Sequence, residues 1–299
     1  MRVARGPHNP PLGYVNARSE NVRRRLVGWQ VTDPAAGPQQ RPVRPSIPQL
    51  REVTQPESVR TRAGAEHWVA SAYLRDVSPY LTRVLLRAGF SANGVTWLMI
   101  VVAGLAAVVT GWPGLVSAIV VVLLVQLQML LDCSDGEVAR WRQTSSPLGV
   151  YLDRVGHYVA ECGIAVALGV RATGAVQLGS PYVSLGLLLG LLVALNKVEN
   201  DLVHVARAYA SLPQVRDAED VRVPSGGLLR TLRKAARLVP FHRVFHSVEL
   251  SMLVLVAAVV DAVGADGLAT RGLLIGLVVA ASVTVVGHLA AVLASSRLK

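Results

Sequence analysis

Long apolar runs separated by short polar turns fill the chain from about residue 95 to its end. A membrane-spanning α-helix needs about 20 predominantly apolar residues, and six runs approach that length. They cover residues 95–110, 115–131, 150–170, 183–195, 250–263 and 273–294. The pattern predicts an all-α integral membrane protein with six transmembrane helices.

Residues 65–90 show a different pattern. Apolar side chains from Trp68 to Leu85 recur at near-helical spacing, with arginines between them. This is typical of an interfacial amphipathic helix lying at the headgroups before the first span. We expect a break at Ser78-Pro79, because the residue before a proline disfavours the α conformation.

Residues 1–64 are rich in Pro, Arg and Gln, with neither a helical nor a strand period. They are predicted to form a disordered, basic cytoplasmic tail. The chain therefore divides into this tail, the amphipathic helix at 65–90, and a six-helix transmembrane catalytic domain at 91–299.

The formal net charge is +11, and its distribution predicts the orientation in the membrane. Arg and Lys crowd the N-terminal tail, residues 207–243 and the C-terminal end. The turns at 111–114 and 261–270 contain neither, and the turn at 172–182 has only Arg171 at its edge. By the positive-inside rule, both termini and the 132–147 loop face the cytoplasm. No aromatic interleaving accompanies the basic tail, so we expect it to contact anionic membrane lipids and not nucleic acid.

Ionisable groups break the apolar pattern between residues 132 and 157. Asp132 and Asp135 are three residues apart, and Asp153 and His157 are four apart, so each pair shares a helix face. Such groups are costly in a membrane and indicate function by default. Two such faces at one depth would form an oxygen-rich pocket suited to hard divalent cations.

The neighbouring residues suit a diphosphate. Two divalent ions held by aspartates can clamp a pyrophosphate, and Arg140 can pair with phosphate. Gly136 and Ala139 leave room for a nucleotide on the same helix, and Gly149 permits close contact with the next one. A general base is then needed to take the proton of an attacking hydroxyl.

These residues resemble the signature of the CDP-alcohol phosphotransferases, D-x-x-D-G-x-x-A-R-x8-G-x3-D-x3-D. Seven of its eight fixed positions are met in order between Asp132 and Asp153. The stretches beginning at Ser78 and Ser91 are similar to the segment before the first span in that family. The likeness covers roughly residues 71–295.

The resemblance implies a phosphatidyltransferase-type enzyme that moves a phosphoalkyl group from a CDP-linked donor to an acceptor alcohol and releases CMP. The donor expected from the family is CDP-diacylglycerol or another CDP-alcohol, and the acceptor is a small polar or phosphorylated alcohol, in phospholipid biosynthesis. Two Mg²⁺ or Mn²⁺ ions and a homodimer are also implied.

Site residues follow from the same resemblance. The metal ligands would be Asp132, Asp135 and Asp153, with His157 at the last position of the signature. The cytidine diphosphate would contact Asp132, Gly136, Ala139, Arg140 and Gly149.

His157 departs from the signature, which has an aspartate there. Three interpretations stay open: His157 is the general base, Glu161 one turn further partly replaces the missing carboxylate, or turnover is lost. Imidazole also prefers softer metals than Mg²⁺.

Polar residues at the end of the fourth span form a candidate acceptor pocket, with Asn200, His204 and Arg207. A solvated helix end explains the same stripe equally well. Two functions of another class remain as alternatives: a cation-coupled membrane transporter, and a non-catalytic relative that retains nucleotide binding.

Overall fold

The computed structural model describes residues 41–42, 44–60, 68–175, 177, 179–212 and 241–294. These residues form helices and turns, and no strand occurs among them. The predicted all-α architecture is confirmed. Parts of the predicted tail (1–40, 43 and 61–64), most of the basic 207–243 segment and the last five residues lie outside the described residues.

Nine α-helices account for most of the described chain. In chain order they are α1 Ile47–Thr54, α2 Glu57–Arg60, α3 Arg75–Arg87, α4 Ala92–Thr110, α5 Leu115–Arg142, α6 Pro147–Arg171, α7 Pro181–Tyr209, α8 Ser247–Val260 and α9 Leu268–Ala294. Short π-helical turns at Ala70–Leu74 and Asp261–Ala265 precede α3 and follow α8, and a 3₁₀ turn, Phe241–Phe245, precedes α8.

Five of these helices are long and apolar enough to cross a membrane: α4, α5, α7, α8 extended to Gly264, and α9. The remaining predicted span, at residues 150–170, corresponds to α6, which has 25 residues but carries Asp153, Arg154 and Glu161. Its length is sufficient for a bilayer, so six spans remain consistent with the structure. The protein is an integral membrane protein by this criterion.

The helix α4 organises the half of the bundle that holds the ionisable residues. It packs extensively against both α5 and α6, while α7 packs on α6 and α9 packs on α7. Met99 of α4 is fully buried, and a side chain at Gly156 of α6 would collide with it, at 2.0 Å from the Met99 Cε. The glycine therefore lets α6 lie close to α4 at Met99.

Two glycines bring α6 and α7 into backbone contact. A Cβ placed on Gly169 would lie 2.7 Å from the Gly186 Cα and 2.6 Å from the carbonyl oxygen of Tyr182. Small residues at such positions let helices in a membrane approach closely and gain dispersion contacts. The two helices are therefore in direct contact at a level of the bundle far from Asp153 and His157.

Two expectations about the region before α4 are wrong. Part of the predicted tail is helical: α1 begins after the N-cap Ser46, and Pro48 sits in the first turn, where a missing N–H costs nothing. The expected break at Ser78-Pro79 does not occur, because α3 continues through Pro79. Its N-terminal neighbours also pack inward, since Val69 and Leu74 are 1 % and 2 % exposed.

Candidate active site

Three of the predicted residues meet at one end of the bundle. Asp132 of α5 and Asp153 and His157 of α6 each offer one ligand atom, and these atoms lie within 4.8 Å of one another. The His157 Nε2 is 3.3 Å from the Asp132 Oδ1 and 3.6 Å from the Asp153 Oδ1. Among the Asp, Glu, His and Cys side chains that the structure describes, these three form the group whose ligand atoms lie close enough together to share a metal ion.

The geometry of α6 follows from its sequence. Ser146 caps the helix by accepting a hydrogen bond from the Gly149 N–H at 3.1 Å, and Pro147 occupies the first turn. With the start of α6 set, the spacing of four residues places Asp153 and His157 on the face that looks towards α5.

Asp135 lies outside this three-residue group. Its Oδ2 accepts a hydrogen bond of 2.7 Å from the Thr96 hydroxyl of α4, which is 2 % exposed. The predicted ligand set is thus brought together only in part: three members face one another, and the fourth is oriented by a buried threonine. Thr96 ends the family-like stretch that begins at Ser91, but sequence reasoning gave it no role of its own.

The donor set fits a divalent cation. Two carboxylates and one imidazole supply hard oxygen atoms and one borderline nitrogen, and the side chains are a quarter to a third exposed. The nitrogen favours Mn²⁺ over Mg²⁺, which prefers an all-oxygen shell. The two carboxylates repel each other, so the cluster is electrostatically suited to a cation.

The predicted nucleotide residues continue along α5 from Asp132. A Cβ on Gly136 would lie 3.1 Å from a terminal nitrogen of Arg140, so the guanidinium packs directly over this glycine. Ala139 is half-buried, and Gly149 on α6 would place a Cβ 3.3 Å from the Asn93 Oδ1 of α4. The absence of side chains at both glycines therefore has a steric reason in the fold.

Glu137 is a buried carboxylate that sequence reasoning missed. It is 0 % exposed and accepts hydrogen bonds from Ser78 at 2.5 Å, Thr82 at 2.7 Å and Gln55 at 2.8 Å. The only available signal was its position between Gly136 and Arg140, since its partners lie more than fifty residues upstream in the chain.

Glu161 faces α7 and not the three-residue group. Its carboxylate is 5 % exposed and pairs with the Lys197 ammonium at 2.7 Å, and Lys197 lies 5.3 Å from the ring centre of Tyr158. One turn away, Asp201 accepts from Arg154 and from the Tyr158 hydroxyl. A carboxylate neutralised by its own lysine is a weaker candidate for the missing ligand than one facing the cluster.

The predicted acceptor residues are dispersed along α7. Asn200 is exposed and its amide donates to the Asn196 carbonyl of its own helix, and Arg207 lies two residues before the helix end. His204 lines an open groove of about 570 Å³ between α6 and α7, together with Tyr151 and Arg154.

Comparison with known protein families gives a match over the region that contains these residues. Residues 90–217 match the family described as CDP-alcohol phosphatidyltransferase, a range that contains α4 to α7 and the whole site. No curated protein matches the chain. The match supports transfer of a phosphoalkyl group from a CDP-alcohol, and such family members use a divalent metal. The resemblance in the sequence is thereby confirmed, and the chain carries a CDP-alcohol phosphatidyltransferase domain over residues 90–217.

Proposed function

We propose that the protein transfers a phosphatidyl group from CDP-diacylglycerol to a small polar or phosphorylated alcohol and releases CMP, as a step of phospholipid biosynthesis. The observation that carries this proposal is the convergence of Asp132, Asp153 and His157 within 4.8 Å, inside the family-matched region. A transporter site needs a path along the bundle, whereas this group adjoins the nucleotide residues of the signature.

Bound divalent ions, one or two, would supply Lewis-acid stabilisation of the diphosphate charge. Asp132 and Asp153 would hold them, with Asp135 contributing once its carboxylate turns from Thr96. Arg140 would pair with a phosphate oxygen, and Gly136 and Ala139 would leave room for the cytidine.

The role proposed for His157 is that of general base. The acceptor oxygen forms a bond to the phosphorus that bears the diacylglycerol, the bridging oxygen leaves with CMP, and the hydroxyl proton passes to His157. An imidazole is basic enough for this at neutral pH. The same Nε2 faces both carboxylates, so metal ligation through this atom is the competing role, and one nitrogen lone pair cannot serve both at once.

The donor is proposed from the membrane setting. The side chains of the cluster are 23 % to 37 % exposed, so the site is open on one side rather than sealed within the bundle. A lipid-linked nucleotide can then enter sideways, with its acyl chains in the bilayer and its diphosphate at the cluster. A phosphorylated acceptor would suit the Arg154 and His204 side of the α6–α7 groove.

Orientation and assembly complete the proposal. We place the site end in the cytoplasm because arginines concentrate there in α3 and at the end of α5, and both termini would lie on the same side. The divisions at 64 and 90 are retained, although α1 belongs structurally with the membrane domain. A homodimer is proposed because the resemblance to the family implies one.

The test uses the full-length protein in nanodiscs. CDP-diacylglycerol, Mn²⁺ or Mg²⁺, and a panel of alcohols with matched phosphorylated and unphosphorylated members are supplied. CMP release and the mass of the lipid product are measured, with Asp132→Asn as the inactive control. Metal-dependent CMP release with one acceptor supports the proposal.

Two other outcomes are informative. Nucleotide-dependent thermal stabilisation without turnover would favour the non-catalytic relative, for which the histidine at position 157 is the specific observation. Cation flux without CMP release would favour the transporter.

A further inference from the structure

A short segment upstream of the family-matched region contacts the nucleotide side of the site. It comprises residues 46–55, here called the strap, and contains α1 with its caps Ser46 and Gln55. The family match begins at residue 90, so the strap lies outside it.

The strap is packed into the bundle by its one fully buried leucine. Leu50 is 0 % exposed and belongs to a buried cluster with Leu85 of α3 and with Val138 and Trp141 of α5. Burying a leucine contributes roughly 2 kcal/mol to the docking of this helix. The strap is therefore docked by hydrophobic contact before any polar contact is considered.

Gln55, at the end of the strap, compensates for a proline in α3. Pro79 has no N–H, so the Arg75 carbonyl loses the donor that an unbroken α-helix would give it. The Gln55 Nε2 supplies that donor at 2.6 Å. This contact explains how α3 continues through Pro79. It also means that the strap supplies one of the hydrogen bonds on which α3 depends.

The same amide reaches α5. Gln55 Nε2 also lies 2.8 Å from the Glu137 Oε1, and Gln55 is 4 % exposed. The other donors to Glu137 are the hydroxyls of Ser78 and Thr82. Glu137 follows Gly136 and precedes Arg140 by three residues, so this buried carboxylate fixes the part of α5 proposed to face the nucleotide.

The strap also contacts Arg140 itself. The Arg140 Nε donates to the Thr54 carbonyl at 2.6 Å, while the terminal nitrogens pack over Gly136. A guanidinium held at Nε has a fixed plane, which decides how its terminal nitrogens meet a phosphate. Thr54 precedes Gln55 directly, so a shift of one moves the other.

A second arginine fixes the end of α5 from the same side. Arg41 donates to the carbonyls of Arg140 at 2.5 Å and Trp141 at 2.9 Å, and its guanidinium lies 5.5 Å from the Trp141 ring centre. These carbonyls belong to the last turn of the helix, which lacks donors of its own.

We propose that the strap is a positioning element of the nucleotide site: through the Thr54 carbonyl and the Gln55 amide it sets the orientation of Arg140 and so the affinity for the CDP-linked donor. This inference rests on the proposed function, since it takes Arg140 as the phosphate-binding arginine. Gln55 is a positioning residue, because it acts on the substrate through Glu137 and Arg140.

The test compares Gln55→Met with wild type in full-length protein. Methionine keeps the length and volume of the side chain and removes both donors. We expect the KM for CDP-diacylglycerol and the Kd for CMP to rise about tenfold, the effect of losing a hydrogen bond to a buried charged group. The kcat and the acceptor KM should stay within about twofold, because the cluster at Asp132 is untouched.

Glu52→Gln is the matched control, since Glu52 is an exposed residue on the same helix. It should leave both nucleotide constants unchanged. Leu50→Ala is the second variant: it loosens the strap without altering any polar atom, and it should raise the donor KM in the same direction. Mn²⁺ affinity, measured by electron paramagnetic resonance, should match wild type in all three.

The experiment distinguishes failure of the proposed positioning role of the strap from failure of the proposed catalytic function. If Gln55→Met and Leu50→Ala are folded and keep wild-type affinity for CMP, the strap has no positioning role. An equal loss of donor, acceptor and metal binding would also overturn it, because that indicates general destabilisation. If wild type binds CMP without turnover, catalysis fails and the strap is still judged by CMP affinity; a wild type that binds no CMP overturns both.

Discussion

Charged side chains lie at both ends of the helical bundle, and the two ends give them different partners. At the end remote from the site, Arg171 is 4 % exposed and donates to the carbonyls of Trp112 at 2.5 Å and Gly114 at 2.6 Å. At the site end, Asp132 and His157 are about a quarter exposed and face each other. The first arrangement ties a loop to a helix, and the second presents charges to something outside the protein.

The same contrast holds for the carboxylates. Asp261 caps α9 by accepting the backbone N–H groups of Ala269 at 2.8 Å and Thr270 at 3.1 Å. Asp132 and Asp153 instead face the His157 imidazole at a partly exposed site. Burial of an ionisable group in a membrane protein is therefore a poor guide to function until its partners are known.

The largest expected effect is at Asp132. Replacing it in Asp132→Asn removes a charge from the cluster and should lower kcat/KM for CMP release at least about a thousandfold. The melting temperature should change by no more than a few degrees, since no backbone group depends on this carboxylate. Activity above a tenth of wild type would contradict a metal role for Asp132.

Two substitutions at His157 should separate its possible roles. His157→Ala should lower kcat about a hundredfold, within the range for loss of a general base. His157→Asp restores the family's residue and should stay within about tenfold of wild type. Glu161→Gln is the control, and we expect little change because Glu161 already pairs with Lys197.

Either of two results would revise this assignment. Full activity in His157→Ala would end the role as a base. Loss of Mn²⁺ binding in that variant, with turnover restored in His157→Asp, would identify His157 as a ligand instead.

The remote end should respond in stability and not in catalysis. Arg171→Leu leaves the carbonyls of Trp112 and Gly114 without their donor, which should cost about 2–4 kcal/mol. Thermal denaturation followed by circular dichroism measures this loss. The activity of the folded fraction should equal that of wild type, and a drop in kcat at unchanged stability would break the distinction between the two ends.

The smallest effect is expected at Asp261. Asp261→Ala removes the cap of α9 and should destabilise the protein by about 1 kcal/mol. Combined with Arg171→Leu, the total loss should be smaller than the sum of the two single losses, because the two opposite charges also attract each other, and a double-mutant cycle on the melting data checks this. A change in the donor KM would show that the remote end is coupled to the site.

The sequence predicted the spans and the shared helix face of Asp153 and His157 because both follow from local periodicity. Apolar runs mark helices, and a spacing of four puts Asp153 and His157 on one face. The contacts of Glu137 could not be predicted, because Gln55 is 82 residues upstream and no local pattern links the two.

The error at Pro79 has the same origin. The expectation that proline breaks a helix considers only the helix that contains the proline. Here the hydrogen-bond donor that Pro79 lacks is replaced by the Gln55 amide, which lies on another segment. The helix α1 in the predicted tail has a related explanation: a Pro-rich composition predicts no helix, whereas Pro48 occupies a first turn, where proline is tolerated. Partners that are distant in sequence decide these cases.

The backbone contact between Gly169 and Gly186 has a consequence for lipid traffic. It leaves no space at that depth for a side chain, and far less for a hydrocarbon tail. The interface between α6 and α7 is therefore closed at Gly169 and Gly186. It opens into the groove that Arg154 and His204 line. An acyl tail that lay in this groove could not pass the two glycines.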